Sequence, residues 1–212
     1  ETINTQQYPL SAFAPNPDAQ NNPYVDGAII SEFEGALQQI ATKDYEAAKP
    51  VLENLHNNQP HLSGPAYQLG RLHYQKKEAE EAISWLQKAL SRNPTNFDAR
   101  NLLAYIHREK GEFDQAEMLW LENLTYWAGY APSYKNLGIL YDLYQGKPEK
   151  AIGFYKQYNL LQDKPDRLVA GWIVTIDRQL LAMQKGQQQT VETEQAMTET
   201  ETPPESSETE VQ

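Results

Sequence analysis

The chain has 212 residues, with 18 Lys and Arg against 29 Asp and Glu, four His and no Cys. Without cysteine there are no disulfides, thiolate metal sites or Cys nucleophiles. A net charge of −11 with no basic cluster argues against nucleic acid and against anionic membrane surfaces, and no apolar run is long enough to predict a membrane-spanning helix.

Residues 1–26 are rich in Asn, Gln and Pro and have no helical or strand period, which predicts an extended, disordered tether. Tyr8, Leu10, Phe13 and Tyr24 read as apolar residues scattered in that linker, with a short docking motif as the alternative. From 28 to 62, Ile30, Phe33, Leu37 and Ile40 stripe one helix. Asp44 suits the N-cap of a second helix, and Pro50 lies within it, removing a backbone hydrogen bond and bending it.

The stretch from Pro65 to Pro94 is the clearest. Leu69, Gly70, His73 and Tyr74 stripe one helix, and Ala82, Leu86 and Ala89 a second, stopped by Asn93-Pro94. Gly70 and Ala82 allow the two backbones to approach closely. Thr95 or Asn96 caps the next pair, whose internal turn is Gly111-Glu112-Phe113. Ser133 is expected to cap a further pair, with its turn at Gly146-Lys147-Pro148.

After Pro165 comes one amphipathic helix, expected over 165–185, with Leu168, Val169, Trp172, Ile173, Ile176 and Leu180 on one stripe. Residues 187–212 hold seven Glu and no Lys or Arg, and are expected to form a disordered acidic tail.

The helix pairs repeat at a 34-residue period: Leu69-Gly70 returns as Leu103-Ala104 and Leu137-Gly138. Ala82 returns as Ala116 and, one residue late, as Ala151, while Leu86 returns as Trp120 and Tyr155. This pattern resembles the tetratricopeptide repeat (TPR). The third unit departs from it at Asn123 and Ala128, and the fourth has one inserted residue, placed in its turn. The resemblance implies an all-α, right-handed superhelical solenoid. Its repeats would lie at about 28–62, 63–96, 97–130 and 131–164, with the last helix covering the open end.

No nucleophile elbow, phosphate loop, dinucleotide fingerprint or His-Glu-x-x-His motif occurs, so catalysis, cofactor and metal are all expected to be absent. His73 and His107 occupy equivalent positions, where stacked helices about 8–10 Å apart do not favour a shared metal, and they read as packing residues. Trp85, Trp120, Trp127 and Trp172 read as core. Asn123-Leu124-Thr125 spells a glycosylation sequon but falls inside a helix.

In the family the first helix of each repeat lines a concave groove, and its fifth, ninth and twelfth positions point inward. The resemblance places Tyr67, Arg71 and Tyr74 there, then Asn101, Tyr105 and Arg108, then Lys135 with Asn136 beside it. The carboxylate clamp of chaperone adaptors is not reproduced: its first Lys and Asn fall on Phe33 and Leu37, or on Tyr67 and Arg71. The acidic tail reads as a solvated segment that aids solubility, with a weak contact to Arg71, Arg108 and Lys135 as the alternative.

The implied function is a non-catalytic scaffold binding a protein partner, a peptide or a helix. The alternatives are a cytosolic assembly chaperone and a ligand-sensing subunit of an enzyme. The Asn/Pro-rich leader followed by a short array resembles bacterial envelope TPR proteins, often lipid-anchored just before such a leader. That likeness implies a periplasmic or outer-membrane-anchored location, a lipid anchor ahead of residue 1, and help in assembling an envelope complex, with the cytoplasm as the alternative.

Overall fold

The computed structural model describes residues 26–200; the tether over 1–25 and the tail beyond Thr200 lie outside the described residues. Nine α-helices occur among them: α1 (Gly27–Ala41), α2 (Tyr45–Asn58), α3 (Gly64–Gln75), α4 (Ala79–Arg92), α5 (Phe97–Glu109), α6 (Phe113–Tyr126), α7 (Ala131–Ile139), α8 (Pro148–Leu160) and α9 (Arg167–Thr200). A π-helical turn, Leu140–Tyr144, extends α7. Each helix packs on the next, and α3 also meets α5, and α5 meets α7, so the first helices of the repeats share one side. This is the expected right-handed solenoid of four helix pairs with a closing helix.

The caps show why the elements begin where they do. Asp26 belongs to α1 rather than to the tether, because its carboxylate accepts the Ala28 N–H at 2.8 Å. Asp44 accepts from Ala47 and Asn96 from Ala99, satisfying N–H groups that have no intrahelical partner. Ser133 corrects the sequence reading. It lies buried inside α7, behind a helix start at Ala131, and receives the Asn123 Nδ2–H at 3.3 Å.

The same turn joins the two helices of every repeat. Lys43, Lys77, Gly111 and Gly146 occupy it with φ of 64°, 63°, 79° and 61°. The residue after each donates back to the first helix: Asp44 to Gln39 O, Glu78 to His73 O, Glu112 to His107 O. In the fourth repeat the bond runs from Lys147 to Tyr141 O, six residues instead of five. The inserted residue is therefore absorbed by the π-helical turn, where Gln145 N–H reaches Leu140 O, and not by the loop. Lys77 is strained in a left-handed conformation that Gly adopts freely. Lys77→Gly is expected to stabilise the fold by about 0.5–1 kcal/mol, the relief of strain less the entropy of the added Gly, read as a higher urea midpoint at unchanged slope.

Close packing explains the small residues. A Cβ on Gly70 would approach Leu86 Cγ to 2.8 Å, and one on Gly138 would approach the Tyr155 ring to 2.5 Å. Leu86, Trp120 and Tyr155 are fully buried, as are Ala82, Ala116 and Ala151. Asn123, the departure in the third repeat, is a buried hub: it accepts from Arg100 Nη1 at 3.1 Å and donates to Phe97 O at 3.1 Å. It is unavailable to a glycan.

The closing helix departs from expectation in two ways. Val169 and Ile176 are buried and Trp172, Ile173 and Leu180 pack on the core, but Leu168 is 62% exposed. The helix also continues past 185 to Thr200, so residues 187–200 are helical and not a disordered tail. Gln, Glu, Met and Ala are good helix formers, and no proline intervenes before Pro203. Low complexity removed the apolar stripe without removing helix propensity.

Candidate functional site

The candidate site grows from α3 and α5, whose exposed sides bound a cleft of about 320 Å³. Tyr67, Arg71 and Tyr74 come from α3, and Asp98, Asn101, Leu102 and Tyr105 from α5. Five of the eight sequence candidates therefore meet here. Tyr74 and Tyr105 stand edge to face with centroids 5.9 Å apart, and the Arg71 guanidinium lies 5.7 Å from the Tyr67 centroid while donating to Gln68 Oε1 at 2.9 Å. Burial, then the nearby Asp98 carboxylate, holds the Tyr67 phenol above its ordinary pKa, so it remains a neutral hydroxyl. Burial, then a hydrogen bond with Glu109, raises Tyr74 in the same way.

Sequence reading missed Asp98 and Leu102. Asp98 accepts the Tyr130 hydroxyl at 2.7 Å, which ties the rim of the cleft to the start of the fourth repeat. The signal was available, since residues 98, 101, 102 and 105 share one side of a helix.

Of the other three candidates, Asn136 and Lys135 are already engaged by polar partners, while Arg108 is buried among aromatic rings. Asn136 donates to Asn101 Oδ1 at 2.8 Å, and Trp120 Nε1–H donates to the same oxygen at 2.9 Å. Lys135 pairs with Asp166 Oδ2 at 3.1 Å and lies 5.1 Å from the Tyr158 centroid. Arg108 is only 7% exposed and stacks with Tyr105, 4.4 Å from its centroid. Of the three cations expected to attract the acidic tail, Lys135 is paired within the fold and Arg108 is buried without an ion-pair partner among the described residues. Residues 187 to 200 lie in α9, and the rest of the acidic tail lies outside the described residues.

Asp166 has a second task, capping α9 by accepting from Leu168 at 2.9 Å and Val169 at 3.3 Å. Lys135 first, then those backbone N–H groups, hold its carboxyl below the ordinary value of 3.8. A carboxyl lowered in the folded state adds stability above its unfolded pKa and loses it as pH falls through the folded one. Asp166→Asn is therefore expected to melt below the parent at pH 7, with the gap closing below about pH 4. Thermal melts at both pH values check this; a constant gap would deny the carboxylate its role.

His73 Nδ1 meets Glu78 Oε2 at 2.6 Å, and His107 Nδ1 meets Glu112 Oε2 at 2.5 Å, each pair bracing the turn of its own repeat. Their equivalent positions reflect that shared bracing.

Comparison with known proteins follows the same repeats. The family model of the tetratricopeptide repeat matches residues 133–168, and that of the second ARM domain of tetratricopeptide repeat protein 21 matches residues 30–111. No curated protein matches the sequence. Among solved structures, Pseudomonas aeruginosa pilF is similar with a TM-score of 0.64 at 19% identity, over 76% of this chain and 72% of that one. TTC0263, a thermophilic TPR protein of Thermus thermophilus, gives 0.56 at 20%, over 72% and 82%. YrrB, described as a TPR protein with an unusual peptide-binding site, gives 0.54 at 22%, over 68% and 72%. Identities this low speak for the fold. Proteins with this fold are in general non-catalytic scaffolds for protein–protein interaction. With repeat models lying over observed helix pairs, the fold is that of a tetratricopeptide-repeat solenoid.

Proposed function

We propose that the protein is a non-catalytic scaffold that holds an extended peptide or a helix of a protein partner against α3 and α5. The observation carrying this reading is the cleft of three tyrosines, an arginine, an asparagine and a carboxylate. Tyr and Arg offer large contact area and directional hydrogen bonds at modest entropic cost, and both are favoured at binding hot spots. The same proposal sets the scaffold in the bacterial envelope, assisting assembly of a complex there; its support is the Asn/Pro-rich leader, and subcellular fractionation tests it.

The binding test is direct. With a peptide selected from a random display library on the full chain, Tyr67→Ala, Arg71→Ala and Tyr105→Ala are each expected to weaken affinity by about 1 kcal/mol or more. Arg71→Ala should leave the melting temperature nearly unchanged, since its side chain is half-exposed. Unchanged affinity in all three would move binding away from this cleft.

A further inference from the structure

Two arginines of α5 are buried, and the fold treats them differently. Arg100, 3% exposed, is satisfied from within: Asn123 Oδ1 at 3.1 Å, Pro94 O at 2.5 Å and Glu122 Oε1 at 3.4 Å. Arg108, two turns on, receives no such provision. Its guanidinium carbon lies 4.4 Å from the Tyr105 centroid, 5.2 Å from Tyr144 and 5.9 Å from Trp120. Its Nε is buried without a hydrogen-bond partner. Among the described residues no carboxylate stands within ion-pairing distance of it.

Rings over a guanidinium stabilise its charge but accept none of its five N–H donors. A buried cation with spare donors and no counter-charge is costly to maintain, and an incoming carboxylate would offset that cost through a paired, fork-shaped contact. The π-helical turn supports the same conclusion, because such turns gather at functional sites. Here it delivers Tyr144, 46% exposed, against Arg108, and sets Leu143, 72% exposed, beside it.

The geometry points to a carboxylate-reading position at Arg108, walled by Tyr105, Trp120 and Tyr144, which takes a Glu or Asp side chain of an extended partner segment. A side chain is selected over a chain end because Arg108 lies mid-way along the first helices. Tyr67, Arg71 and Tyr74 lie on α3 to one side, and Lys135 and Asn136 on α7 to the other. A chain held there continues past Arg108 in both directions. This inference rests on the peptide-scaffold reading and adds to it the chemistry of the partner.

The test uses the full chain and a library of random twelve-residue peptides, amidated at the C-terminus. The selected peptides are expected to share one acidic position. Replacing that Glu with Gln should weaken binding to the parent about tenfold, as loss of a charge-assisted pair does, but less than about twofold for Arg108→Gln. Arg108→Lys should retain part of the preference, since it keeps the charge and loses the fork. Because Arg108→Gln can disturb packing, the Glu-to-Gln comparison on the parent protein stands by itself. Binders without a common acidic position, or an equal loss on parent and Arg108→Gln, would overturn the inference while leaving the scaffold reading intact. Binding recovered only with free C-terminal peptides, indifferent to Glu-to-Gln, would overturn the side-chain assignment. Binders insensitive to Tyr67→Ala and Tyr105→Ala, or no binders at all, would overturn both readings.

Discussion

A chain ended at Pro165 is expected to aggregate, or to unfold without a cooperative transition. Val169 and Ile176 would no longer be there to cover the fourth repeat, and the Trp172 ring, 5.3 Å from Tyr155, would be gone. Burying each large apolar side chain contributes roughly 1.5–3 kcal/mol. Three such losses approach the whole stability of a small domain, about 5–15 kcal/mol. The same truncation strips Lys135 of Asp166 and exposes apolar surface that invites self-association. A chain ended at Gly186 keeps every one of these contacts, because the side chains from Leu181 to Val191 are exposed. It should melt within about 1 °C of the parent, as surface changes remain near zero in free energy. Calorimetry and light scattering on both truncations decide the matter; a soluble, cooperatively melting chain ended at Pro165 would remove α9 from the fold's requirements.

Trp120→Ala should be the most damaging single substitution, costing about 3–5 kcal/mol. The indole is fully buried between the second helix of the third repeat and its neighbours, and its Nε1–H is bonded to Asn101. Truncation leaves a large cavity and one fewer wall around Arg108. Trp120→Phe keeps most of the volume and loses the donor, so about 1–2 kcal/mol is expected, the scale of one missing hydrogen bond and a small void. Urea unfolding of both separates volume from hydrogen bonding. Equal costs would mean that the bond to Asn101 outweighs the ring.

The repeat architecture was legible because its causes are local. Small residues mark close backbones, Asp44 and Asn96 cap helices, and apolar residues return at helical spacing; each leaves a trace in a single segment. The turn at Lys43 and Lys77 was harder to see. Lysine carries no left-handed signal, and only the equivalent Gly111 and Gly146 disclose the conformation. In the cleft, helical position correctly placed Tyr67, Arg71, Tyr74, Asn101 and Tyr105 together. It could not tell which cations remain available, because what engages them comes from elsewhere in the chain. Asp166 reaches Lys135 from beyond the last repeat, and Tyr144 reaches Arg108 only because a π-helical turn re-aims it. The His–Glu pairs were missed for a related reason: a five-residue separation across a turn belongs to neither helix period.

The two hydrogen bonds converging on Asn101 have a directional outcome. An indole nitrogen only donates, so the Asn101 atom facing Trp120 is its oxygen. Asn136 contacts that same oxygen and must therefore offer its own amide nitrogen. Both amides are thereby prevented from flipping. Asn101 keeps its NH2 as the end not engaged by Trp120, and Asn136 keeps its carbonyl. A backbone lying across them meets a donor and an acceptor in fixed order, so it can pair in one polarity and is mismatched when reversed. A fully buried tryptophan thus fixes the order of donor and acceptor that Asn101 and Asn136 present.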